Sequence, residues 1–273
     1  MTTHYFENSF AKLHYYQFGT GPAYMLCFHG FGMHGKQFKI LADRLGGKYT
    51  FIGFDLFFHK ETLLNDQSLA TIKAGLQKKQ LASLITDFCQ SMQIDRFSVL
   101  AYSMGTHYAT AIVEEMGDVV DAYIVAASAA LRPGFLVWFF SKSVLGNKLL
   151  EKIMLSEKAT VRIINILSKL GLLDKVGKAI LEKEVGTPAL RFALYATFTY
   201  LRFLKTDESR LITALTSNNI RSLFIFGKYD KMYPPSIGRV FFRKYNRAEI
   251  VVLEADHEMI NSNFADTLTR LLL

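Results

Sequence analysis

The residues best suited to chemistry lie in the stretch Ala101-Tyr102-Ser103-Met104-Gly105. A short apolar run typical of a strand precedes it, and a helix-compatible stretch, residues 106–116, follows at once. This order predicts a sharp turn with Ser103 at its apex, where small flanking residues allow strand and helix to approach closely. The pattern G-x-S-x-G describes such turns, although Ala101 replaces its first glycine here. A serine held in this way can act as a nucleophile when a base lies beside it.

Three other polar signatures each lie just past a predicted strand: His29-Gly30, Asp230 and His257. Sites in open α/β sheets form at the carboxyl ends of the strands, so we expect these residues to converge on Ser103. A histidine has the right pKa to take the serine proton and return it to a leaving group. A carboxylate can hold the imidazole in the required tautomer. The four signatures together predict acyl transfer through a serine nucleophile.

Two other carboxylates are alternatives to Asp230. Asp256 adjoins His257, but a neighbouring residue in an extended loop points elsewhere and is better suited to support the turn. Asp55 ends a predicted strand and is the closer competitor.

The elements that must position these residues are predicted from short apolar runs and helical periodicity. The predicted strands are residues 4–8, 11–18, 23–28, 49–55, 96–102, 122–127, 222–226 and 250–253, and the predicted helices are 37–45, 76–92, 106–116, 235–245 and 261–272. This alternation predicts an α/β fold with a mostly parallel, eight-stranded sheet covered by helices on both faces.

Residues 132–209 interrupt the alternation, because they contain only helix-compatible stretches separated by glycines. Residues 132–205 carry 13 basic and 5 acidic side chains, whereas the remainder carries 19 of each, so the whole net charge of +8 lies in this segment. We therefore predict a core domain formed by residues 1–131 and 210–273, with a helical cap inserted at 132–209.

The sequence resembles the α/β-hydrolase superfamily over nearly its whole length. The motifs that carry the resemblance are H-G-F-G at 29–32, A-Y-S-M-G at 101–105, G-K-Y-D at 227–230 and D-H at 256–257. The chain order Ser, Asp, His is that of the superfamily. The resemblance is to the esterase, lipase and small-molecule hydrolase branch, in which a helical cap follows the sixth strand.

The resemblance implies that Ser103, Asp230 and His257 are catalytic, and the family position favours Asp230 over Asp55. It also implies that the backbone N–H groups of Phe31 and Met104 form the oxyanion hole. His29 is expected to organise the oxyanion turn. The residues expected in the substrate pocket or in support of the turns are His29, Gly30, Tyr102, Phe57 and Trp138.

One loop departs from the family pattern. After the strand that ends at Asp55, the family commonly has D-x-x-G-x-G-x-S, but this sequence reads Asp55-Leu56-Phe57-Phe58-His59-Lys60-Glu61-Thr62. Because this loop borders the pocket in relatives, substrate preference does not carry over from any one of them. His59 itself is expected to have no catalytic role.

The resulting hypothesis is a serine hydrolase that cleaves a carboxylic ester of an apolar or lipid-like substrate through an acyl-enzyme. Acyl transfer, thioester hydrolysis and C–C bond hydrolysis on the same triad stay open. An inert binding protein of the same fold is the alternative from another class. No cofactor or metal is expected, because the chemistry requires none and the histidines form no metal set.

Two interpretations of the basic segment also stay open. Its aromatic side chains could pack on the core while its lysines form a solvated face. Alternatively, its inner face lines an apolar pocket while its outer face meets anionic lipid headgroups, as a peripheral membrane contact. Nucleic acid is not expected, since no recognised binding motif is present.

The cysteines, the first residues and the apolar runs of the sequence are those expected of an intracellular protein. Cys27 and Cys89 are interpreted as buried free thiols. The first residues lack the basic and apolar regions of a signal peptide, and no uncharged apolar run could cross a membrane, so a cytoplasmic location is expected. The oligomeric state cannot be predicted from the sequence.

Overall fold

A computed structural model describes residues 2–171, 178, 182 and 185–273, without the side chain of Leu136. Within this part of the chain, nine strands form one sheet in the order β1-β2-β4-β3-β6-β7-β8-β9, and β5 pairs with β2. The strands are β1 (Thr2–Glu7), β2 (Ala11–Phe18), β3 (Ala23–Phe28), β4 (Tyr49–Phe54), β5 (Leu63–Leu64), β6 (Phe97–Tyr102), β7 (Val120–Ala126), β8 (Arg221–Gly227) and β9 (Glu249–Leu253).

The sheet is mostly parallel. All neighbouring strands from β4 through β3, β6, β7 and β8 to β9 run parallel, and only the pairings of β2 with β1, β4 and β5 are antiparallel. The predicted α/β fold is confirmed. The prediction of eight strands was wrong by one, because β5 has only two residues and is too short to show a periodic pattern.

Eleven α-helices are present in the described residues. They are α1 (Ala42–Leu45), α2 (Leu69–Ala74), α3 (Lys78–Ser91), α4 (Thr106–Met116), α5 (Phe135–Lys142), α6 (Val144–Met154), α7 (Glu157–Lys169), α8 (Pro188–Tyr200), α9 (Glu208–Ser217), α10 (Arg239–Lys244) and α11 (Ser262–Leu272). The helix expected at 37–45 is instead a 3₁₀ helix over Gly35–Leu41 that continues into α1. None of the described helices is both long and apolar enough to cross a membrane.

The central strands are hydrophobic throughout because helices flank a parallel sheet. All six residues of β4 and all six residues of β6 are buried. One core cluster includes Leu100 of β6, Ile124 of β7, Ile225 of β8 and Phe264 and Leu268 of α11. This packing fixes the strand ends at which the polar signatures lie.

The chain divides into two compact units. The first, called the core unit here, consists of Met1–Asp66, Gln77–Gly134 and Leu204–Leu273 and contains the sheet. The second, called the helical unit, consists of Gln67–Leu76 and Phe135–Phe203. The helical unit contains Phe135–Phe203, which lies within the predicted cap segment, and Gln67–Leu76, which the sequence places in the core. Its role as a cap stays a prediction.

Candidate active site

Ser103 lies between β6 and α4 with a backbone φ of 50°, in the left-handed region that serine rarely occupies. Such strain persists only where the surrounding structure imposes it, and it is common at functional sites. The turn is tight because α4 closely approaches the end of β3. A Cβ atom at Gly105 would lie 2.1 Å from the carbonyl oxygen of Phe28, so only glycine fits there. The local sequence therefore folds as a sharp turn with its serine at the apex.

His257 lies within hydrogen-bond distance of this serine. The Oγ atom of Ser103 is 3.1 Å from Nε2 of His257, and Nδ1 of the same ring is 2.9 Å from Oδ2 of Asp230. An ionised carboxylate only accepts hydrogen bonds, so the Asp230 contact fixes the proton on Nδ1 and leaves Nε2 as an acceptor for the serine hydroxyl. The chain of hydrogen bonds can therefore draw a proton away from Ser103.

Asp230 is buried, and both oxygens of its carboxylate form hydrogen bonds. Its second oxygen, Oδ1, accepts hydrogen bonds from the backbone N–H groups of Met232 at 2.8 Å and Tyr233 at 2.9 Å. Burial by itself would raise the pKa of Asp230, but the hydrogen bonds from His257, Tyr233 and Met232 outweigh it and lower that pKa below its ordinary value. Asp230 is thus held as a carboxylate.

The two rival carboxylates form hydrogen bonds elsewhere. Asp55 is buried, with Oδ2 2.6 Å from Nδ1 of His14 and Oδ1 accepting from the N–H of Gly35 at 2.8 Å. Asp256 is exposed, and its Oδ1 accepts from the N–H of Glu258 at 3.0 Å. Of the three candidates, Asp230 is the one hydrogen-bonded to His257.

The turn after β3 approaches the serine closely. A Cβ atom at Gly30 would lie 3.4 Å from Cβ of Ser103 and 2.8 Å from the Tyr102 ring, so a side chain at this position would collide with its neighbours. Phe31 follows in the same turn, and Met104 directly follows Ser103. Their predicted role as oxyanion donors stays a prediction.

His29 is completely buried and joins this turn to the loop after β4. Its Nε2 accepts a hydrogen bond from the N–H of Leu56 at 3.0 Å, and its Nδ1 is 2.7 Å from the carbonyl oxygen of Gly30. Burial lowers the pKa of His29 well below its ordinary value, with a further contribution from His59. The imidazole is therefore neutral, as an acceptor at Nε2 requires.

Tyr102 is buried beside the candidate base. Its hydroxyl donates a hydrogen bond to the backbone oxygen of His257 at 2.5 Å, and the two ring centroids are 5.3 Å apart. Burial raises the pKa of Tyr102, so the phenol stays protonated and can donate. The residue before the serine therefore anchors the loop that carries His257, a contact that the sequence did not predict.

The two predicted pocket aromatics lie in different units. Phe57, in the core unit, is buried and lines a cavity of about 20 Å³ together with Phe28, Phe54 and Tyr108. Trp138, in the helical unit, is 47% exposed and stacks on Phe135 with ring centroids 6.1 Å apart. The role of both in substrate binding stays a prediction.

His59 was not expected to take part, but it contacts the turn after β3. Its Nε2 accepts a hydrogen bond from the N–H of Gly32 at 3.1 Å, and its ring lies 5.3 Å from that of Phe31. The available signal was its place just after a strand whose end meets the same edge of the sheet. No group of three or more His, Cys, Asp or Glu side chains within the described ranges is arranged to hold a metal ion.

Solved structures match this chain over nearly its full length. A hydrolase from Pseudomonas aeruginosa PA01 has a TM-score of 0.69 at 15% identity, with 99% of this chain and 97% of that chain covered. A thioesterase domain from the curacin biosynthetic pathway has a TM-score of 0.68 at 17% identity, with 100% and 99% covered. A thermophilic esterase from Thermogutta terrifontis has a TM-score of 0.61 at 17% identity, with 96% and 92% covered.

This chain has the α/β-hydrolase fold. At these identities the similarity concerns the α/β-hydrolase fold alone. No protein-family model matches the sequence, and no curated protein matches it either.

Proposed function

We propose that this α/β-hydrolase-fold protein is a serine hydrolase that cleaves carboxylic esters through an acyl-enzyme. The observation that carries the proposal is the chain of hydrogen bonds from Ser103 through His257 to Asp230. His257 would take the proton from the Ser103 hydroxyl as its oxygen attacks the ester carbonyl, and would return that proton to the departing alkoxide. Water would then attack the acyl carbonyl while His257 takes its proton, and His257 would return that proton to Ser103 as the acid leaves.

The oxyanion of the tetrahedral intermediate requires donors that lie ready before the reaction. The proposal assigns the backbone N–H groups of Phe31 and Met104 to this task. Two features support it: the close approach of Gly30 to Ser103, and the hydrogen bonds that hold the turn containing Phe31. Loss of one such donor typically lowers the rate by about 10²–10³.

An apolar acyl group is the proposed substrate class. The loops at the ends of β3 and β8, which carry the site, also carry exposed apolar or aromatic side chains that a soluble surface does not require. These are Phe31 (39% exposed), Met33 (41%), Tyr229 (57%) and Met232 (59%). We expect them to contact the acyl or alcohol part of a small, uncharged ester.

Labelling with a fluorophosphonate tests the mechanism, because this probe bonds covalently only to an activated serine. We expect labelling of the wild type and none of Ser103→Ala. Absence of label on a folded wild type would leave an inert binding protein as the better explanation. A series of p-nitrophenyl esters of rising chain length, followed by product analysis in the presence of alcohols and thioesters, then separates ester hydrolysis from acyl transfer and thioester hydrolysis.

Peripheral contact with an anionic membrane is a second proposal, and two helices of the helical unit support it. α6 and α7 each expose a stripe, at a spacing of three to four residues, in which apolar and basic side chains alternate. The α6 stripe is Val144, Leu145, Lys148, Leu149 and Lys152, and the α7 stripe is Lys158, Val161, Arg162, Ile166 and Lys169. Basic amphipathic helices of this kind bind in the plane of a bilayer surface.

Charge and exposure both favour a lipid surface as the partner. Val144 and Leu145 are 73% and 72% exposed, so their burial among acyl chains would be favourable. The acidic residues within α6 and α7 are already paired, Glu151 with Lys73 at 2.7 Å and Glu157 with Arg191 at 3.4 Å. Each basic side chain near an anionic leaflet contributes about 1 kcal/mol, which is about fivefold in partitioning.

Sedimentation with vesicles tests this second proposal. Wild type should pellet with phosphatidylserine/phosphatidylcholine vesicles and much less with phosphatidylcholine alone. The double variant Lys148→Glu/Lys152→Glu should partition at least about 25-fold more weakly, and Val144→Gln about tenfold more weakly. Val240→Gln is the matched control, since Val240 is also an exposed helical valine, at 56%, but lies in the core unit. Equal pelleting of wild type and the three variants would contradict the proposal. If the substitutions change only the oligomeric state, the partner of this surface is a second copy of the chain.

A further inference from the structure

The turn after β3 and the loop after β4 hold each other through two histidines. His29, in the turn, accepts a hydrogen bond from the N–H of Leu56 in the loop. His59, in the loop, accepts one from the N–H of Gly32 in the turn at 3.1 Å. The two rings lie 5.2 Å apart in an edge-to-face arrangement. Each histidine thus satisfies a backbone donor of the other segment.

The hydrogen bonds of His59 define its tautomer. Its Nδ1 is 3.0 Å from the carbonyl oxygen of Phe57, which can only accept a hydrogen bond. The proton therefore lies on Nδ1, and Nε2 is left as the acceptor for Gly32. Because His59 is buried, this arrangement is shielded from competing water. A side chain of similar shape without an acceptor would leave the Gly32 N–H without this partner.

The backbone around His59 is strained on both sides. Phe58 has a φ of 64° and Lys60 a φ of 53°, both in the left-handed region that side chains disfavour. These are the two positions at which the family pattern D-x-x-G-x-G-x-S has glycine. The loop therefore keeps the positive-φ backbone that glycine favours, although neither residue is glycine. Strain of this kind persists where other contacts impose it and is often associated with function.

We infer that His59 is a positioning residue for the oxyanion turn, an inference that rests on the proposed serine hydrolase function. His59 holds the Gly32 N–H, and this fixes the backbone of the turn in which Phe31 would supply an oxyanion donor. Misplacement of a reacting group by about 1 Å can cost about 10²-fold in rate. The contribution of His59 therefore falls on kcat rather than on KM.

Two substitutions at position 59 separate positioning from packing. His59→Gln keeps an acceptor, since the glutamine Oε1 reaches about as far as Nε2 of histidine, whereas His59→Phe keeps a ring and loses the acceptor. His34→Phe is the matched control, because Nδ1 of His34, at the end of the same turn, has no hydrogen-bond partner among the described residues. For His59→Phe we expect kcat on a p-nitrophenyl ester to fall about 10- to 100-fold, with KM nearly unchanged.

His59→Gln should recover most of the activity, and His34→Phe should behave like wild type. If His59→Phe and His34→Phe have equal kcat, or if the Gln and Phe variants at position 59 lose activity equally, the inference is overturned. Hydrogen exchange of the Gly32 amide, followed by NMR, gives a readout without turnover. Exchange should be faster in His59→Phe than in wild type and His59→Gln, and equal rates in all three would also overturn the inference. An inactive, unlabelled wild type would instead contradict the proposed function.

Discussion

The loops that carry the candidate site in the core unit and the surface of the helical unit both expose apolar side chains, but they differ in where their polar side chains lie. In the loops after β3, β4 and β8, three polar side chains, His29, His59 and Asp230, are buried, and each has defined hydrogen-bond partners. On α6 and α7, apolar side chains such as Val144 and Leu145 are exposed beside lysines. Both arrangements cost stability by themselves, because polar burial and apolar exposure are each unfavourable.

The two arrangements suit different kinds of function. Buried polar groups with fixed partners can hold protons and backbone amides at defined atoms, as catalysis requires. Exposed apolar side chains among lysines and arginines do not hold protons or amides at defined positions. They do match a partner that is itself apolar below a charged surface. Changes at Asp230, His29, Lys60 and Leu145 test this contrast.

The largest effect is expected at Asp230. Asp230→Asn should lower kcat about 10⁴-fold, because the amide can favour the wrong tautomer of His257. Asp256→Asn is the matched control and should change kcat less than twofold, since Asp256 is exposed and bonded to Glu258. Steady-state kinetics on one ester measures both. Similar losses in the two variants would mean that the hydrogen bond between His257 and Asp230 does not define the site.

A pH effect on stability is expected from His29. Its pKa is lowered well below the ordinary value in the folded protein by burial, so the unfolded chain binds a proton that the folded protein does not. Stability should therefore fall as the pH drops below about 6.5, with a slope of up to ~1.4 kcal/mol per pH unit.

Urea unfolding at several pH values between 5 and 8 measures this slope for wild type and His29→Gln. The glutamine cannot titrate, so the variant should lose the part of the slope due to His29. His34, whose pKa burial also lowers, should leave a weaker slope in the variant. If the free energy of unfolding depends on pH in the same way in both proteins, burial of His29 does not limit stability in acid.

A smaller gain is expected from relief of strain beside His59. Lys60 is exposed and has a φ of 53°, so Lys60→Gly removes little packing and should raise the free energy of unfolding by about 1 kcal/mol. Lys36→Gly serves as a control without positive φ at the substituted residue. Chemical denaturation measures both, and a loss of stability in Lys60→Gly would argue that the left-handed backbone there is not strained.

The smallest effect is expected on the exposed stripe of α6. Leu145→Gln should change the free energy of unfolding by less than about 0.5 kcal/mol, because Leu145 is 72% exposed. Leu150→Ala, on the buried side of the same helix, should cost about 2–4 kcal/mol. Thermal or urea unfolding compares the two. A large loss in Leu145→Gln would mean that the stripe supports the fold rather than a partner.

The sequence predicted the parallel sheet well because its strands are continuous apolar runs bounded by turns. Ala23–Phe28 has the predicted bounds, and the bounds of the strand that ends just before Ser103 differ from the prediction by a single residue. Polar residues just past these strands predicted which side chains would meet, and Ser103, His257 and Asp230 are hydrogen-bonded as expected. Order along the chain and the parallel sheet together suffice for this part of the geometry.

Contacts that depend on loop conformation could not be predicted. The pairing of Asp55 with His14 joins the end of β4 to β2, and no local pattern marks it. The hydrogen bond from Gly32 to His59 is accompanied by positive φ at Phe58 and Lys60. Phenylalanine and lysine rarely adopt positive φ, so their presence in the sequence predicts a different loop. The addition of Gln67–Leu76 to the helical unit likewise depends on tertiary packing.

The left-handed backbone of Ser103 has a consequence for how the sequence can change over time. Glycine adopts this conformation without strain, so replacement of Ser103 by glycine would relieve a conformational cost of about 1–2 kcal/mol. Selection for thermal resistance alone would then remove the proposed nucleophile. A serine that persists at such a position in diverging descendants would therefore record selection for chemistry, whereas drift to glycine would mark a lineage that had kept the scaffold and abandoned the reaction.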